Sequence, residues 1–142
     1  MAYLLDTNVA WRRIRKNDPR HADVKSAIDA LAEAGEKVYV TAQSLVEFRA
    51  VATRPQSANG LGLSPTIATI KAQEIESLFG LLPETPAIYP LWRTLVDQYA
   101  VCGKQVHDTR LVAVMLVHRV THLLTLNGTD FRRFSGITVI EP

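Results

Sequence analysis

The sequence predicts an α/β protein: a three-layer α/β/α sandwich around a mostly parallel sheet. Three observations lead there. Short apolar or β-branched runs (3–6, 37–41, 81–82, 122–126 and 137–140) alternate with longer stretches of helical periodicity. Those two periodicities together belong to helices packed on a sheet. Finally, two of the runs stop at polar residues, Asp6 and Asn127, at the carboxyl ends of strands where such sheets gather functional groups.

Each element has its own justification. Tyr3-Leu4-Leu5 reads as a buried strand ending in Asp6, and Thr7 or Asn8 caps a helix running to about Lys16. Asp18-Pro19 is a turn. Val24, Ala27, Ile28 and Leu31 recur at helical spacing, giving an amphipathic helix over 20–34 that Gly35 ends. Residues 37–41, KVYVT, form a second strand. Thr41 or Ser44 caps a helix carrying Leu45, Val46, Phe48, Val51 and Ala52, which Arg54-Pro55 stops. The stretch 58–65, rich in Gly, Ser, Asn and Pro, is a loop. Helices are expected at 66–80, at 87–102 with Gly103 closing it, and at 107–117, where LVAVMLV follows Asp108, Thr109 and Arg110. Residues 122–126 form a strand, 129–134 a short polar helix or turn, and 137–140 a last strand. No repeat or linker divides the chain, which predicts one domain spanning 1–142.

Composition excludes several classes. With 142 residues, 47% hydrophobic and 21% charged, the chain has material for one ordinary core. Its single cysteine, Cys102, rules out an internal disulfide framework or a Cys-rich zinc site and is read as helix filling. No run approaches the roughly 18 apolar residues of a membrane span, and no signal-peptide pattern opens the chain. A cytoplasmic location is expected. The formal charge of +2 and pI near 8.9 are a mild basic bias.

Four acids stand where patterning favours apolar or neutral residues. Asp6 ends the first strand, Glu47 sits in SLVEFRAV, Asp108 opens the most apolar helix, and Asp130 lies in LNGTDF just past a strand. Each has a plain structural explanation, as a helix cap, a helix-surface residue, a first-turn acid or a turn residue. Together they suggest a shared site, because clustered carboxylates repel unless a cation joins them. Mg²⁺ and Mn²⁺ are hard ions suited to carboxylate oxygens and water. His21, His118 and His122 lack ligand spacing, and His107 beside Asp108 is read as structural.

LLDTNVA at 4–10, SLVEFRAVATRP at 44–55, HDTRLVAVMLVHRVTHLLTLNGTDFRRF at 107–134 and ITVIEP at the C-terminus resemble the PIN domain family, and within it the VapC-type toxin ribonucleases. The resemblance runs along nearly the whole chain. It implies an α/β/α sandwich whose acidic cluster binds Mg²⁺ or Mn²⁺ and hydrolyses single-stranded RNA. By motif the first three acids are Asp6, Glu47 and Asp108. Some members carry the fourth directly after the strand, where this chain has Asn127. Others carry it three residues later, where this chain has Asp130, and the reading adopts Asp130 with Asn127 as a polar neighbour. Asp6, Asp108 and Asp130 are the implied ligands of one or two ions. Glu47 is a ligand through water or a base. Thr7 matches the family's hydroxyl beside the first acid, and Arg110 is a candidate partner for phosphate or for an acid.

Arg12, Arg13, Arg15 and Lys16, with Arg132 and Arg133, are candidate RNA contacts expected near the acid-bearing edge. The family also implies a VapB-like antitoxin and a homodimer, for which the helices at 66–80 and 87–102 are candidate faces. A haloacid-dehalogenase-type phosphatase is disfavoured because its second Asp would fall at Asn8. The standing alternative is a catalytically inactive PIN-like module that binds RNA or a partner.

Overall fold

The computed structural model of the chain covers residues 1–142. Its five strands, β1 (Ala2–Leu5), β2 (Lys37–Thr41), β3 (Gly80–Leu82), β4 (His122–Leu124) and β5 (Thr138–Ile140), form one sheet. The spatial order is β3-β2-β1-β4-β5 and every pairing is parallel. The first strand in the chain is therefore the central one. Leu4 lies beside Tyr39 on one side and Leu123 on the other. Both edge strands have only three residues, which limits the unpaired backbone they present.

Six helices cover the sheet: α1 (Thr7–Ala10), α2 (His21–Glu33), α3 (Ala42–Thr53), α4 (Pro65–Leu78), α5 (Ile88–Gln98) and α6 (Gln105–Val117). Because side chains alternate along a strand, neighbouring leucines serve opposite faces. Leu4 and Leu123 pack with Leu95 of α5 and with Leu111–Met115 of α6. Leu5 and Leu124 face the other way, onto Val9, Val24, Ile28, Phe48 and Ile75 from α1 to α4. Each core holds 13 buried residues, so neither face is left bare and the fold is the expected three-layer sandwich. The continuous apolar run of α6 is explained by enclosure, since all five residues from Leu111 to Met115 are buried.

Local chemistry sets the helix starts. Thr41 accepts a bond from the Ser44 N–H at 3.0 Å to cap α3, and Ser64 accepts one from Ile67 to cap α4, with Pro65 in the first position. The loop after α3 is tied back to it, with Leu61 and Leu63 N–H groups on the Val51 and Ala52 carbonyls.

Three expectations are corrected and one is met. The helix expected from Thr7 or Asn8 to Lys16 is α1 followed by a 3₁₀ turn at Arg12–Ile14, and its cap is Asp6. The Trp11 side chain is drawn into the core beside Phe48 and Ala52 of α3 and Ala68 and Ala72 of α4, and Arg15 leaves the helical region with φ of −106° and ψ of 88°. The strand expected over 122–126 ends at Leu124, although the Thr125 N–H still bonds Ile140 O at 3.0 Å. The short polar helix or turn expected at 129–134 is present, as a 3₁₀ helix at Gly128–Asp130 that continues as a turn over 131–133. The helix expected to reach 102 stops at Gln98, because the chain reverses at Ala100 with φ of 49°. Cys102 is thereby exposed in the connection between α5 and α6 and fills no helix.

Leu123 is fully buried at the sheet centre. Leu123→Ala is expected to destabilise the fold by about 2–5 kcal/mol, read by urea unfolding.

Candidate active site

The carboxyl ends of β1 and β4 place the first acid. Asp6 follows β1 directly, is 6% exposed, and makes two bonds within the protein. Its Oδ1 accepts the Thr7 N–H at 2.7 Å, and its Oδ2 accepts the Thr125 hydroxyl at 2.7 Å. Thr125 in turn accepts the Asn127 N–H at 3.0 Å, so its proton is directed at Asp6. The helix-cap explanation for Asp6 is thus correct as far as it goes. A cap, however, needs neither the burial nor a second donor from 119 residues away.

Glu47 comes from α3. Its two oxygens accept the Thr7 hydroxyl at 2.7 Å and the Gln43 amide at 3.0 Å. Thr7 therefore touches both acids, through its N–H and through its hydroxyl. Asp108, in the first turn of α6, is half-buried, and no hydrogen-bond donor holds its carboxylate. Asp130 ends the 3₁₀ turn after β4 and accepts the Gln105 amide at 3.4 Å.

The electrostatics tie these four together. Burial raises the Asp6 carboxyl above its ordinary value; Thr125 and the Thr7 N–H oppose this, and the charges of Glu47 and Asp130 add to it. Asp108 is pushed up to about 7, by burial first and then by Asp6, Asp130 and Glu47, with only Lys104 opposing. Four acids from four separate segments therefore feel one another, and no arginine or lysine forms an ion pair with any of them.

Asn127 is exposed and contributes its N–H to Thr125. Arg110 meets an acid outside the four: it forms a forked pair with Glu84 at 2.8 and 3.3 Å and also donates to Gln43. The expectation of one basic cluster at the acid-bearing edge is corrected. Arg12 lies over the Trp11 ring and pairs with Asp18, while Arg13 pairs with Asp29 and lines a hollow with Val38, near the opposite ends of the strands. Arg15 and Lys16 border an apolar groove, and Arg132 pairs with Glu141 at 3.3 Å. Of these six candidates only Arg133 comes within one side chain of the four acids, by donating to Gln105, which donates to Asp130. The side chain of His107 is exposed, and its carbonyl accepts the Gln43 amide at 2.8 Å.

Sequence reasoning missed Thr125, Gln43, Gln105 and Glu84. Thr125 had a usable signal, a lone hydroxyl among leucines one residue past a parallel strand. The two glutamines had none, since an isolated Gln on a helix looks like surface.

The residues suit a hard divalent ion. All four side chains offer oxygen, their repulsion has no internal counter-charge, and the Asp108 carboxylate is free of protein donors. No three His, Cys, Asp or Glu side chains close on one point to form a ready-made cage.

This five-stranded parallel sheet between helical layers has counterparts among known proteins. The PIN domain family profile matches residues 3–137, and the chain belongs to that family. It is similar to the ribonuclease VapC48 of Mycobacterium tuberculosis, 24% identical over 100% of this chain and 98% of that one. Its fold resembles that in the crystal structure of VapBC2 from Rickettsia felis bound to a promoter DNA fragment, with TM-score 0.75, 16% identity and coverage of 100% and 99%. DNA-bound VapBC from Salmonella typhimurium is similar at TM-score 0.71 and 15% identity, covering 99% and 98%.

The raised Asp108 value has a consequence for stability. Between about 4 and 7 the folded chain keeps a proton that the unfolded chain has lost, so this group lowers stability as pH rises through that window. The penalty is complete above pH 7 and gone below 4. In metal-free protein at pH 8, Asp108→Asn is expected to raise the melting temperature by roughly 2–4 °C. The gain should shrink as the pH falls to 5, read by calorimetry with EDTA present.

Proposed function

We propose that the chain is a single PIN-like domain spanning 1–142 that acts as a Mg²⁺- or Mn²⁺-dependent endoribonuclease on single-stranded RNA, the toxin of a toxin–antitoxin pair. The observation that carries this reading is the repelling cluster of Asp6, Glu47, Asp108 and Asp130 with no protein cation inside it. Family membership and the VapC48 relative, named as a ribonuclease, support the same chemistry.

Asp6, Asp108 and Asp130 would hold one or two ions. Bound there, such an ion supplies a water of lowered pKa and positive charge facing the phosphate oxygens. The reaction adds a water oxygen to phosphorus, breaks the bond to the leaving ribose oxygen, and returns a proton to that oxygen. Asp6 is held by Thr125 and the Thr7 N–H, which leaves further lone pairs on each oxygen for the site. Glu47, fixed by Thr7 and Gln43, orients the attacking water as its base or as a water-bridged ligand. Of the basic candidates, Arg133, the one that lies one side chain from Asp130, serves the RNA backbone.

The partners follow from the same reading. A VapB-like antitoxin would seat an apolar segment in the groove of about 540 Å³ lined by Trp11, Ile14, Phe48, Leu61 and Leu63, with Arg15 and Lys16 at its rim. The R. felis and S. typhimurium structures are of VapBC complexes, which supports such a partner. α4 leaves Ile67, Ile70 and Leu78 exposed, a face suited to a second copy. No helix is long and apolar enough to cross a membrane, and action in the cytoplasm is part of the proposal.

Two measurements test this. A pool of single-stranded and structured RNA should be cut with Mg²⁺ or Mn²⁺ and spared in EDTA, and Asp6→Asn should lose at least about 100-fold in rate. Cutting that survives EDTA or Asp6→Asn overturns the mechanism, and no cutting by folded, partner-free protein favours a binding module. In light scattering, Ile70→Lys is expected to shift a dimer to monomer without lowering the melting temperature.

A further inference from the structure

Two glutamines stand between the acid cluster and two arginines in the same way. Gln43 Nε2 donates to Glu47 Oε1 at 3.0 Å and to the His107 carbonyl at 2.8 Å, while its Oε1 accepts Arg110 Nη1 at 3.1 Å. Arg110 is held from behind by Glu84. Gln105 Nε2 donates to Asp130 Oδ1 at 3.4 Å, and its Oε1 accepts Arg133 Nη2. Flipping the Gln43 amide would set NH₂ against a guanidinium and oxygen against a carboxylate and a carbonyl. Arginine thus dictates that the face turned to the acid is the donor.

The chemistry of this spacing differs from that of a salt bridge. A guanidinium bonded directly to Glu47 or Asp130 would cancel charge and occupy the oxygens that a metal or its waters need. An amide holds the carboxylate in place and adds no net charge. Gln43 also bonds α3 to the first turn of α6, linking the segments of Glu47 and Asp108.

We propose that Gln43 and Gln105 are positioning residues for Glu47 and Asp130, each oriented by an arginine, Arg110 or Arg133, that stays one amide away from the acids. This deepens the metal-nuclease reading and rests on it. Supporting groups behind ligands commonly alter metal affinity by 10- to 100-fold.

The test uses the full chain and Mn²⁺ alone, followed by electron paramagnetic resonance over a range wide enough to saturate each variant. Gln43→Ala and the near-isosteric Gln43→Leu are each expected to weaken Mn²⁺ binding by about tenfold. Neither should add a further loss in a Glu47→Ala background, because the glutamine acts through that carboxylate. Arg110→Met should weaken binding less, and not at all once Gln43 is Ala. In RNA cleavage, kcat should fall with KM nearly unchanged. Gln105→Ala should behave likewise against Asp130→Ala. Equal losses with and without Glu47, or unchanged Mn²⁺ binding in Gln43→Ala beside an intact wild type, overturn the positioning role alone. A wild type that binds no Mn²⁺ overturns the metal reading, and this proposal with it.

Discussion

The mutual repulsion of four carboxylates at one edge of the sheet is the constraint on which the rest of this structure depends. Left to themselves, Asp6, Glu47, Asp108 and Asp130 would move apart into water, where charge is cheaply solvated. They come from β1, α3, α6 and the turn after β4. What holds them is the bulk of the fold: two apolar cores that clamp the central strand and the helices carrying the acids. Packing free energy, a nonspecific quantity, is converted here into a fixed and unfavourable charge arrangement. In the proposed reading a hard cation seated among them would relieve it.

Hydrogen bonding refines that arrangement at particular atoms. Thr7 gives its N–H to Asp6 and its hydroxyl to Glu47, so one residue sets the separation of two acids. Thr125 binds Asp6 from β4's end, which makes the β1–β4 pairing part of the site. The acids differ in how firmly they are held. Asp6 and Glu47 are each gripped by two donors, Asp130 by one long bond, and Asp108 by none. The site thus has a rigid half and a compliant half.

How far the amino-acid sequence reveals all this depends on the range of the interaction involved. Strands and most helices were legible because period and burial are local: Leu4 and Leu5 alternate, and Val24, Ile28 and Leu31 recur at helical spacing. The four acids were legible as polar intrusions in apolar context, although their pairing relied on resemblance. The helix from Thr7 to Lys16 was misjudged because burial of Trp11 against α3 and α4 is a tertiary fact that overrides local propensity. The basic cluster was misjudged for a related reason. Adjacent arginines look like one patch in a string, yet Arg12, Arg13 and Arg15 diverge around a tight turn to Asp18, Asp29 and a groove. Gln43 and Gln105 were invisible because a glutamine has no signature until its neighbours in space are known.

The spread of the site along the chain bears on how the molecule is made. Its first acid is the sixth residue, and the threonine that steadies that acid is the 125th. Beyond it, β5 completes the sheet, and Glu141 binds the Gly128 N–H beneath the Asp130 turn. A chain emerging from the ribosome in order carries Asp6 well before Thr125, the residue that steadies it, has been made. The central strand must wait for its β4 neighbour until residues 122–124 have been synthesised. A site that joins Asp6 to Thr125 therefore assembles late, only after the segment of β4 has followed that of β1.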